Sequence, residues 1–131
     1  MYMRRTKVLL LLPERGIGAA ERDAIVDAMR AGGFELLDSE RPGRPDVVLL
    51  ELPGSSRERL AMLKRVAPLA APIVVMSADA SILPREARAI GAWGWIARPM
   101  PPDVLRARLR DAARAWQRHP SLFGLSAFRE R

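Results

Sequence analysis

The chain has 131 residues, 49% of them apolar and 28% charged, with a net charge of +7 and no cysteine. That length builds one domain whose core needs no covalent staples, and the composition excludes wholesale disorder. Without cysteine there is no disulfide framework, no thiolate zinc site and no cysteine nucleophile.

The first predicted element is a strand over Lys7 to Leu12, a continuous aliphatic run of the kind buried on both faces of a parallel sheet. Its apolar part, Val8 to Leu12, is five residues long, against the roughly 20 a membrane helix requires. The basic start Met1 to Arg5 resembles the head of a signal peptide, yet Pro13-Glu14-Arg15 closes the run with no small-residue cleavage site. The chain therefore reads as cytoplasmic, with no membrane partner. A helix over 18–31 follows, with Ala24, Ile25, Ala28 and Met29 on one side and Gly32-Gly33 at its end.

Phe34 to Leu37 is a short second strand and Val47 to Leu50 a third, opened by Pro45-Asp46. Ser39 to Arg44 is too short and too rich in Pro and Gly for a full helix, so the second helix of a regular alternation is shortened or absent. Ser55 and Glu58 have the spacing of a capping box and start the next helix, whose apolar side is Leu60, Leu63 and Val66. Pro72 to Met76 is a fourth strand, Ile82 to Ile90 a helix ended by Gly91, and Trp93 to Ala97 a fifth strand.

Pro101-Pro102-Asp103 begins the last helix, which Pro120 stops. Its inner side is Leu105, Leu109, Ala112 and Trp116, while Arg106, Arg110, Arg114 and Arg118 recur every four residues on another side. Residues 1–65 carry 12 basic and 10 acidic side chains, whereas residues 66–131 carry 10 and 5. The basic half suits an acidic protein partner or nucleic acid, and equally a solvated helix face. Alternation of strand and helix argues a doubly wound α/β fold: a five-stranded parallel sheet in flavodoxin-like order, with function at the carboxyl edge. The domain occupies 1–119 and the tail 120–131.

Gly91-Ala92-Trp93-Gly94-Trp95-Ile96-Ala97-Arg98-Pro99, followed by Pro102-Asp103-Val104-Leu105, resembles the end of a bacterial response-regulator receiver domain. Pro45 to Gly54 resembles that family's phosphoacceptor strand and loop, and Pro72 to Ala78 its fourth strand. The resemblance covers about residues 6–118. It implies that Leu12 and Pro13 stand where the family has a magnesium-binding acidic pair, with Glu14 a lone displaced carboxylate. It places Glu51 at the phosphoacceptor Asp, Ser77 at the phosphoryl-sensing Ser/Thr, Arg98 at the phosphoryl-pairing Lys and Trp95 at the switch aromatic.

Leucine and proline offer no carboxylate to a hard cation, and aspartyl phosphate chemistry needs that cation. The resemblance thus implies a pseudo-receiver that is not an enzyme, takes no metal and no cofactor, and holds its pocket with a Glu51–Arg98 pair. A planar guanidinium bonds both oxygens of a carboxylate. Loss of the acidic pair and of the second helix resembles the receiver-like domain of amidase-regulator-type antiterminators, although Pro120 removes their route to RNA binding. The expected role is a protein–protein interaction module in signalling or transcription control.

Its surface would be the helix of 82–90, the fifth strand and the last helix, with Trp93 exposed and Arg106, Arg110 and Arg114 facing a protein partner. A homodimer is expected, pairing the arginine row with Asp79 and Glu86 of a second copy. The rivals are a nucleic-acid-binding regulator using that row, and a nucleotide-binding enzyme using Gly16 and Gly18, where Glu21 stands at the third glycine of a dinucleotide fingerprint. His119 has no second His or Cys to make a metal or triad site and reads as a helix cap.

Overall fold

A computed structural model describes residues 5–12, 17–37 and 43–118. Five strands carry the sheet: β1 (Lys7–Leu11), β2 (Glu35–Leu37), β3 (Val47–Glu51), β4 (Ile73–Ser77) and β5 (Gly94–Ala97). Four α-helices connect or follow them: α1 (Ala19–Ala31), α2 (Ser56–Val66), α3 (Leu83–Ala89) and α4 (Pro102–Arg118). The strand order is β2-β1-β3-β4-β5, and every neighbouring pair is parallel. This is the doubly wound, flavodoxin-like sheet expected from the alternation. No helix lies between β2 and β3 among the described residues; 38–42 of that connection lie outside them.

The pleat sorts the aliphatic runs into two cores, because successive side chains of a strand point to opposite faces. Val47 and Leu49 of β3 with Val74 and Met76 of β4 join Ile25 and Met29 of α1 and Leu105 and Leu109 of α4. Val48, Leu50, Ile73 and Val75 face the other way, toward Val66 of α2 and Leu83 and Ala87 of α3. Both central strands are buried at all five positions, which is why their sequence runs apolar without alternation.

Local chemistry sets the helix ends. Ser55 Oγ accepts from the Glu58 amide at 3.2 Å, as the capping spacing predicts, while the Glu58 carboxylate accepts from the Ser55 hydroxyl at 3.0 Å rather than from a backbone amide. After α1 the chain turns at Gly33, whose φ of 83° favours glycine. The helix predicted over 82–90 spans Leu83–Ala89, and the fifth strand starts at Gly94. No helix among the described residues is long and apolar enough to cross a membrane.

Candidate functional site

In a parallel sheet with helical crossovers, the strands end where the next helices begin, so chemistry-bearing residues gather at that edge. Glu51 is the last residue of β3 and Arg98 directly follows β5. By the pleat, Glu51 projects to the face shared with Val47 and Leu49, the face covered by α1 and α4.

There Arg98 Nε lies against Glu51 Oε1, and Arg98 Nη1 donates to Glu21 Oε1 from the first turn of α1. The Glu51 side chain is 4% exposed, that of Arg98 9% and that of Glu21 38%. The network thus runs from a buried carboxylate, through a nearly buried guanidinium, to a carboxylate at the surface. Burial pushes the Glu51 carboxyl above its ordinary value of 4.5; Arg98 pulls it down, and Glu21 adds to the rise.

Ser77 ends β4 at the same edge and its carbonyl accepts from the Arg98 amide at 2.8 Å. Its hydroxyl accepts from the Asp79 amide at 3.0 Å, so it supports the turn into α3. Leu12 is buried at 6% exposure in the core beneath α1 and α4. Pro13 and Glu14 lie outside the described residues, as do Gly16, His119, Pro120 and the tail. Among the described residues the donors do not fit magnesium: Leu12 is an apolar core residue and Glu51 is engaged by Arg98. No cluster of three His, Cys, Asp or Glu side chains among the described residues fits a metal ion.

Glu21 is the residue that sequence reasoning missed as a partner, noting it only as the break in a glycine fingerprint. Its signal was an acid in the first turn of a helix opening at the carboxyl edge. Gly18, the other half of that fingerprint, is the N-cap of α1 at φ −71° and ψ 154°, a conformation any residue adopts. A Cβ there would meet nothing within 4 Å, so the backbone makes no special use of this glycine.

The proposed interaction residues divide. Trp95 is 37% exposed, with the Arg88 guanidinium 5.9 Å from its ring centre. Trp93, expected to be exposed, is only half so, because it packs on the core beneath α1 and α4.

Arg106 and Arg110 are half-buried rather than a free basic row. Arg106 Nη1 donates to the Ala28 carbonyl at 3.2 Å, and Arg110 Nη2 to the Gly32 carbonyl at 2.6 Å. Arg110 also lies 4.7 Å over the Phe34 ring. The Ala28 carbonyl also accepts from the Gly32 amide at 3.1 Å, so Arg106 is its second donor, while Arg110 gives the carbonyl of Gly32, just past the helix end, a charged donor. Arg114 stays exposed. Glu86, expected to meet arginines of a second copy, pairs with Arg59 of α2 at 3.1 Å and Arg85 at 3.5 Å.

No family model and no curated protein matches the chain. Among solved structures, it is similar to the signal receiver domain of a modulated diguanylate cyclase from Desulfovibrio desulfuricans G20. The TM-score is 0.68 at 16% identity, over 87% of this chain and 98% of that one. The receiver domain of the sensor histidine kinase PA1611 from Pseudomonas aeruginosa, solved with magnesium in its active-site cleft, gives 0.65 at 18%, covering 84% and 98%. NtrX from Brucella abortus gives 0.71 at 19%, over 93% of this chain but 30% of that longer one. With its strand order, its two-faced core and these neighbours, the chain has the fold of a response-regulator receiver domain.

Proposed function

We propose that this chain is a pseudo-receiver: a cytoplasmic receiver-fold domain that accepts no phosphoryl group and works as a protein–protein interaction module in signalling or transcription control. The observation that carries the reading is the ion pair of Glu51 with Arg98 at the positions matching phosphoacceptor and phosphoryl-pairing lysine, continued to Glu21. A carboxylate already held by a guanidinium is a poor nucleophile, and a phosphoryl group arriving there brings more negative charge against it. Transfer to a carboxylate relies on a cation to neutralise the phosphoryl oxygens, and Leu12 removes one ligand position for it.

The surface for the partner is α3, β5 and the exposed side of α4, where Trp95 with Arg88 over its ring, and separately Val104, are exposed. An exposed tryptophan is a common anchor in interfaces. The pocket's charge arrangement is built in, so partner binding is independent of phosphorylation.

Incubation with acetyl phosphate and magnesium tests this, read by intact mass under conditions that preserve acyl phosphates. The expected mass is unchanged. A stoichiometric phosphoryl adduct at Glu51 would return the domain to the phosphorylatable class and remove the reading.

A further inference from the structure

Beside the Glu51–Arg98 pair, between α1 and the start of α4, lies a cleft of about 170 Å³. Its walls are apolar, including Ile25, Met76, Met100 and Leu105, and its polar end is Glu21 with Arg98. We propose that this cleft is a binding site for a small organic cation: a primary amine carried on a phenyl-sized apolar body. The inference goes beyond the interaction-module reading and stands without it.

Size comes first. An apolar cavity of roughly 150 Å³ accepts a benzene ring, so this volume takes one ring and a short arm. The two methionines in the wall are unbranched and polarizable, which lets the wall close on a flat ring.

Charge decides the head group. Among the described residues, the carboxylates of Glu21 and Glu51 share the one guanidinium of Arg98, which leaves one negative charge in excess. The amino ends of α1 and α4 also face this edge, each worth about half a positive charge. The acids in their first turns are Glu21 itself and Asp103, so with Asp103 and both helix ends counted the excess is still about one negative charge. An anion entering the cleft meets the Glu21 carboxylate at the mouth and an Arg98 guanidinium already held by both Glu21 and Glu51. An ammonium meets Glu21 at the exposed mouth, keeps part of its water there, and buries only its apolar body. Because Glu21 is also held by Arg98, an amine on Glu21 draws on the same network that holds Glu51, giving the domain a chemical input beside its pocket.

Three probes of one shape isolate the head group: 2-phenylethylamine, 2-phenylethanol and phenylacetate, each titrated into the full chain and followed by amide NMR shifts at Ile25, Met100 and Leu105. At low salt the amine is expected to bind about tenfold more tightly than the alcohol, as one charge-assisted contact implies, with phenylacetate the weakest. Glu21→Gln should bring the amine down to the alcohol, leaving the alcohol unchanged. Ala24→Leu, on the exposed side of α1 where it lines the cleft, should weaken all three. No shift at those amides with any probe up to about 10 mM, or phenylacetate or the alcohol binding as well as the amine, overturns the proposal.

Discussion

At the scale of single residues, the chemistry rests on Glu51, Arg98 and Glu21. Glu51 is nearly fully buried, and its desolvation outweighs the attraction of Arg98, so its folded pKa lies above the ordinary 4.5. The sign follows from linkage. A group whose pKa is raised on folding adds stability that is fully present below the unfolded value and lost as pH rises through the folded one. Urea denaturation of the wild-type chain and of Glu51→Gln at a series of pH values should therefore show the stability difference moving against the wild type as pH climbs from about 4.5. A difference independent of pH would mean that Glu51 is solvated. In the same experiment at neutral pH, Arg98→Met should cost about 3 kcal/mol, since it strands a buried carboxylate. Glu51→Gln should cost less, because Arg98 keeps Glu21. The double variant should lose less than the two single losses added, by a coupling of about 1 kcal/mol or more.

At the scale of elements, the last helix has a different task from the one its arginine row suggests. A row at every fourth position is the pattern of a solvated or nucleic-acid-facing side, but in this fold two of its members reach the end of α1. There Arg106 adds a second donor to the Ala28 carbonyl, Arg110 bonds the carbonyl of Gly32 past the helix end, and Arg110 adds a cation–π contact to Phe34. Arg110→Ala is expected to lower stability by about 1–2 kcal/mol in equilibrium denaturation, from one lost charge-assisted bond and the ring contact. Arg114→Ala, on an exposed position, should stay within about 0.5 kcal/mol. Equal effects from the two would mean that the α1–α4 contact is not stabilising.

At the scale of the whole molecule, both faces of the sheet are covered, which leaves the edge formed by α3, β5 and α4 as the place where Trp95 and Val104 are exposed. Complementary charge between two copies no longer recommends Glu86, which is paired within the chain. The apolar groups remain, and a two-fold axis through them would bury the same patch on both protomers. Light scattering is expected to give a mass that rises toward a dimer with concentration, and Trp95→Ala should hold it at the monomer with thermal stability unchanged. A concentration-independent monomer in the wild type would reserve this surface for a different partner.

Three things were legible in the sequence alone. The two-faced burial of the central strands showed as unbroken aliphatic runs at Val47 to Leu50 and Ile73 to Met76, because a parallel strand covered on both sides has no polar face. The cap of α2 showed in the spacing of Ser55 and Glu58, because capping bonds are local. The placement of Glu51 and Arg98 at one edge followed from strand order, since both end strands of the same parallel sheet. What the sequence did not disclose were contacts between residues far apart in the chain. Glu21 meets Arg98 across 77 positions, and Arg106 and Arg110 each reach α1 across 78. The half-burial of Trp93 likewise depends on α1 and α4 covering the same face of the sheet. Local pattern reports which face of an element is apolar; only the packing of elements decides which charge on the other face finds a partner.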